Sequence, residues 1–155
     1  MIKKLDNSNA EVASQIFTIF QKSYKVEAQL IDIIDFPPLS RSVQHIESSK
    51  TLFYGFIENK NLTAIIEISI KDKLIEIDSL TVDPSYFRKG IAGKLIRYIL
   101  STFKFSEAIV ETAVVNEPAI TLYKKHGFVE FKRWTPDHGI QKLAMIVKDT
   151  PLKQS

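Results

Sequence analysis

Leu80-Thr81-Val82-Asp83-Pro84-Ser85-Tyr86-Phe87-Arg88-Lys89-Gly90-Ile91-Ala92-Gly93-Lys94-Leu95 carries a strand through a turn and into a helix. Asp83-Pro84 stops the strand, because proline cannot donate to a sheet ladder. After it, Leu95, Ile96, Ile99, Leu100 and Phe103 fall on one stripe at helical spacing. The first amides of such a helix lack intrahelical acceptors and lie at its positive end, so together they can hold a phosphate. Gly90, Ala92 and Gly93 have little or no side chain, which lets an anion approach the backbone. The loop is not a Walker A loop, since Lys94 precedes Leu95 in place of Ser or Thr. It is not the G-x-G-x-x-G dinucleotide loop either, with only Gly90 and Gly93 to supply its glycines. Taken alone, the same residues also suit a helix start with small residues for packing and a solvated basic rim.

Working outward, Leu52–Glu58, Leu62–Ile70 and Leu74–Val82 have β character, and the short joints Asn59-Lys60-Asn61 and Lys71-Asp72-Lys73 suit antiparallel hairpins. In the third segment Ile75 and Ile77 share one face, and Glu76 and Asp78 the other. Upstream, Ser8-x-x-Glu11 has capping-box spacing ahead of an apolar helical stripe, and that helix ends before Asp35-Phe36-Pro37-Pro38. A short helix over Ser42–Ser48 follows. Downstream, Ala108–Val115 reads as a strand and Asn116-Glu117-Pro118 as a helix start; Gly127 is placed to end that helix. Phe128–Trp134 and Lys142–Lys148 form a last pair of strands around Pro136-Asp137-His138-Gly139. The order ααβββαβαββ, with a short strand possible at Ile2–Leu5, predicts one α/β domain over residues 1–155: a mixed sheet flanked by helices.

Composition narrows the chemistry. The chain has 155 residues, no cysteine, and 21 Lys+Arg against 18 Asp+Glu. No disulfide, thiolate nucleophile or Cys-ligated metal is possible. His45, His126 and His138 are scattered without ligand-spaced carboxylates, so no metal site is expected. Serine-hydrolase chemistry lacks its G-x-S-x-G elbow. The net charge of +3 is not clustered enough to favour nucleic acid. No apolar window reaches the length of a membrane span, the N-terminus lacks a leader pattern, and a cytoplasmic location is expected.

Val82-Asp83-Pro84-Ser85-Tyr86-Phe87-Arg88-Lys89-Gly90-Ile91-Ala92 resembles the acyl-CoA-binding motif of the GNAT superfamily of N-acetyltransferases, whose loop reads Q/R-x-x-G-x-G/A. Asn116-Glu117-Pro118-Ala119-Ile120-Thr121-Leu122-Tyr123-Lys124-Lys125-His126-Gly127-Phe128 resembles that family's second motif. The two stand in the family's order, and the likeness runs from Leu52 to Lys148. It implies a mostly antiparallel sheet of six or seven strands flanked by about four helices. One departure is plain: the loop's first position, usually Gln or Arg, is Phe87.

The resemblance implies roles. Acetyl-CoA is the expected acetyl donor. Leu80, Thr81 and Val82 would offer backbone groups to its pantetheine arm where the sheet splays. Arg88, Lys89, Gly90, Ile91, Ala92, Gly93 and Lys94 would surround its pyrophosphate. Asn116 and Ala119 would border the cofactor, and Tyr123 would stand beside the sulfur as a proton donor. Asp78, with Glu76 two residues earlier, matches the strand position of a catalytic acid in many members; both are also ordinary solvent-facing residues. The acceptor would be a small-molecule or peptide amine, attacking directly in a ternary complex, and a homodimer is common in the family. Because of Phe87, a catalytically weak acyl-CoA-binding or partner-binding module is the alternative reading.

Overall fold

A computed structural model describes residues 1–149; the last six positions of the expected domain lie outside them. Seven strands form one sheet in the order β1-β2-β3-β4-β5-β7-β6. They are β1 Ile2–Leu5, β2 Leu52–Glu58, β3 Asn61–Lys71, β4 Leu74–Val82, β5 Glu107–Ala113, β6 Val129–Trp134 and β7 Lys142–Lys148. Four α-helices accompany them: α1 Ala10–Leu30, α2 Val43–Ser48, α3 Ile91–Thr102 and α4 Glu117–Lys125. Every neighbouring pair is antiparallel except β4–β5. The mixed α/β class, strand number and helix number agree with the sequence reading.

The sheet separates two cores. On one side α3 and α4 bury Ile96, Ile99 and Tyr123 against Ile66, Ile75 and Ile77. On the other, α1 and α2 bury Ile16, Phe20 and Ile46 against Phe53 and Ile65. Strand β3 is apolar on both faces because both layers rest on it.

Local chemistry sets the ends of the elements. Asn9, not Ser8, caps α1, accepting from the amides of Glu11 and Val12 at 3.0 and 3.1 Å; Ser8 is engaged with Asp6 instead. Ser42 caps α2 through the His45 amide. Strand β5 stops at Ala113, short of Val115, because the Val114 amide donates to Gln141 and Asn116 then caps α4. Gly127, at φ 91°, closes α4 with the Phe128 amide on the Tyr123 carbonyl and its own on Lys124.

Strand β4 breaks its own alternation. Glu67 opposes Ser79 while Ile68 opposes Ile77, so Asp78 is an extra residue, a β-bulge. Before it, Ile75 and Ile77 face the α3 core; after it, Leu80 and Val82 do. Ser79 and Thr81 thereby turn toward α1.

Candidate active site

β4 pairs with β5 only from Leu74 to Ile77, opposite Glu107 to Val110. Beyond that, Glu111–Ala113 pair with β7 alone. From Asp78 to Val82, therefore, the β5-facing edge of β4 carries main-chain groups with no strand partner among the described residues. An extended ligand arm could take the place of that missing strand.

At one end of this opening lies the loop that leads into α3. Arg88 and Gly90 both have left-handed backbone, at φ 64° and 72°, a habit that turns successive N–H groups toward one side. No side chain caps the helix, and its first internal bond runs from the Lys94 amide to the Gly90 carbonyl. The amides of Ile91, Ala92 and Gly93 thus precede the hydrogen-bonded turns. A Cβ on Gly90 would meet nothing within 4 Å, so its glycine serves conformation. Gly93 differs: a Cβ there would stand 3.1 Å from the His126 ring, so its missing side chain admits α4. His126 is fixed by Nδ1 donating to the Leu122 carbonyl at 2.9 Å, which leaves Nε2 to accept from Arg97 at 3.2 Å. The ammonium groups of Lys89 and Lys94 lie over the rings of Tyr86 and Phe56, 5.0 and 5.5 Å from their centres. Arg88 and Phe87 are exposed.

At the other end is a cavity of about 310 Å3, bordered by Asp78, Leu80, Asn116, Ala119 and Tyr123 among others. The fold thus brings these five expected residues to one place. Glu76, exposed on β4, does not border it. Thr81 buries its side chain on the α1 side, leaving only its backbone for the opening. Asn116 is buried as the cap of α4, its Oδ1 accepting from the Ala119 amide at 3.3 Å.

Tyr123 packs its ring edge-on against Phe128 in the core, centres 5.5 Å apart. Burial, and then the nearby Glu27 charge, push its phenol well above the ordinary range, so it holds its proton at neutral pH. Asp78 accepts a hydrogen bond from Ser69. Burial raises its carboxyl, outweighing that bond, and the charges of Glu67 and Glu76 add to the rise. A raised carboxylate is a stronger base than a free aspartate.

From sequence the acceptor is expected among the first two helices, their loop and the last hairpin, with Glu27, Asp32 and Asp35 able to attract a cationic amine. None of the far wall is named there as a site residue. Tyr24 and Glu27 of α1, Phe36-Pro37-Pro38 of the loop after it, Glu111 of β5 and Lys142 of β7 complete the cavity. Burial raises Glu27, with Lys142 pulling the other way. Lys142 Nζ donates to Glu111 at 3.3 Å. Behind the wall is a buried ion pair: the Arg41 guanidinium gives Glu67 two bonds, at 2.6 and 2.9 Å, and Thr51 and Ser79 add one each. Burial pushes Glu67 up, but these four bonds prevail and hold it below the usual glutamate range. A lone Glu in the apolar run Ala64–Ile70 was the signal for it. Among the described residues, no group of three or more potential ligands could hold a metal, and no helix is long and apolar enough to cross a membrane.

Comparison with known proteins agrees with the fold. The chain is 32% identical over 129 residues to the UPF0157 protein YqkA of Bacillus subtilis, covering 83% of this chain and 38% of that protein. It therefore spans well under half the length of that relative. Its fold superposes on the ribosomal-protein-S18-alanine N-acetyltransferase of Escherichia coli with a TM-score of 0.75, at 19% identity over 96% of this chain and 92% of the other. The PaiA N-acetyltransferase of Thermoplasma acidophilum, solved in complex with coenzyme A, gives 0.76 at 20% identity, over 96% and 98% of the two chains. Residues 13–128 match the acetyltransferase (GNAT) family as a whole, and the chain belongs to that family.

Proposed function

We propose that the protein is an acetyl-CoA-dependent N-acetyltransferase that acts on a primary amine by direct attack in a ternary complex. The observation that carries this is the splayed β4 edge, with an uncapped helix N-terminus at one end and the hydroxyl-bearing Tyr123 cavity at the other. Acetyl-CoA supplies an activated acetyl group whose leaving group is a thiolate. The chain's own residues suit that donor. Amides of Gly90 to Gly93 face the pyrophosphate, each bond to a charged oxygen contributing roughly 1.5–3 kcal/mol, and Arg88, Lys89 and Lys94 add positive charge around it. Main-chain groups of Leu80 to Val82 hold the pantetheine arm, and an amide at the bulge polarises the thioester oxygen.

An alkylamine is mostly protonated at neutral pH, with an unperturbed pKa near 10.4. Asp78, raised above an ordinary carboxylate, takes its proton directly or through water. Tyr123, buried and protonated, donates to the leaving sulfur. With no cysteine in the chain, no acyl-thioester enzyme forms. The test is calorimetry with coenzyme A, followed by acetyl-CoA and an amine panel read as thiol release. Binding with acceptor-dependent turnover supports the enzyme; binding without turnover supports a module that keeps only the fold.

A further inference from the structure

Resting on that reading, we infer that the acceptor is a small aliphatic amine with a second ammonium group, a diamine or polyamine, whose far charge is taken by Glu27 while Asp78 faces the attacking nitrogen. Three carboxylates border the cavity, from Glu27, Asp78 and Glu111, against the single lysine Lys142. Lys142 Nζ is bonded to Glu111 at 3.3 Å. Among the described residues, neither Glu27 nor Asp78 is in an ion pair; Asp78 has a hydroxyl donor, Ser69. Two negative charges thus border one cavity without a salt-bridged cation, Lys142 being bonded to Glu111 and acting on Glu27 only through its field.

A second observation, independent of charge, points to a ligand there. Tyr123 is 6% exposed, yet its hydroxyl has no hydrogen-bond partner among the described residues, and the residue borders the same cavity. The oxygen is not among the buried unpaired side-chain atoms, Glu58 Oε2 and Thr81 Oγ1, so it reaches the open space of the cavity, where an entering group can meet it. Glu27 lies within electrostatic reach of both phenols, raising Tyr24 and Tyr123 alike. All three residues border the same cavity.

Size and wall chemistry restrict the rest of the molecule. About 310 Å3 must also receive the thioester end of the donor, which leaves room for a slender chain. Tyr24, Phe36, Pro37 and Pro38 add apolar surface to the lining, matching a run of methylenes. An acceptor with a carboxylate near its amine would bring a third negative charge to Glu27 and Asp78, unfavourable in a half-buried site.

The experiment compares 1,4-diaminobutane, butylamine, 4-aminobutanoate and an alanyl peptide as acceptors with acetyl-CoA, measuring kcat/KM by thiol release. The diamine is expected to exceed butylamine at least about tenfold, the effect of one charge-assisted bond, with 4-aminobutanoate poorest. In Glu27→Gln the diamine-to-butylamine ratio should fall about tenfold, coenzyme A titration showing that the variant is folded. Equal use of diamine and butylamine, preference for the carboxylate-bearing amine or the peptide, or an unmoved ratio in Glu27→Gln overturns the inference. So does coenzyme A binding with no diamine turnover. Failure of the wild type to bind coenzyme A is a different result: it removes the acetyltransferase reading itself, and this inference with it.

Discussion

The two sides of the opened sheet are built by different means. The α3 side is made of backbone: unpaired strand edge, left-handed turns at Arg88 and Gly90, and helix amides before the first internal bond. The α1 side is made of side chains: Glu27, Tyr24, Phe36 and Lys142, drawn from elements far apart in sequence. A backbone site tolerates side-chain change but is sensitive to conformation; a side-chain site is the reverse. One surface can hold a ligand whatever side chains the strand carries; the other depends on which side chains stand there.

Substitutions can break this contrast or sharpen it. The largest effect is expected from Tyr123→Phe, which should lower kcat about a thousandfold, within the usual span of proton-transfer catalysis, and change acetyl-CoA KM little. A rate within twofold of wild type would remove the acid role. Next, Glu67→Ala should cost about 3 kcal/mol in urea denaturation, since it leaves the Arg41 guanidinium without its carboxylate. The sign with pH is fixed by the lowered Glu67 carboxyl. Its stabilisation is present above the unfolded glutamate value and lost as pH falls through the folded one, so the variant should show a flatter acid limb.

Asp78→Asn should reduce kcat about a hundredfold. Because Asp78 is raised, wild-type activity should climb as pH rises through that elevated value, and the variant should lose that limb. A retained limb would assign the base elsewhere. The smallest effect is expected on the backbone side. Gly90→Val imposes strain at φ 72° and should weaken coenzyme A about tenfold in calorimetry, as a left-handed non-glycine residue costs on the order of 1–3 kcal/mol. Replacing Arg88 by Ala should do less than that.

What could be read beforehand follows the same division. β2, β4 and β7 have the bounds their residues implied, and the α3 loop stands where Gly90-Ile91-Ala92-Gly93 placed it, because these features are written in contiguous residues. The α4 cap at Asn116 and its glycine end at Gly127 were legible for that reason too. The bulge was not: nothing within Ile77-Asp78-Ser79 announces an extra residue, which appears only when β3 is laid beside β4. Lys142 meets Glu111 because β5 pairs with β7, a contact between distant segments. Gly93 was legible as a small residue near an anion, yet its absent Cβ makes room for His126, which only the packing of α3 on α4 reveals. Ser8 and Asn9 are both good caps by type, and a single position of offset decides between them.

The extra residue at Asp78 also sets a reading frame. Draw it into the ladder with every residue kept, and strict alternation runs on from Ile77: hydroxyls of Ser79 and Thr81 rotate into the oily layer beneath α3, Leu80 and Val82 swing out under α1, and Glu67 forfeits a donor. Loops of this molecule can change length by drift; the fourth strand keeps its later side chains on their proper faces only while one residue stands outside the ladder.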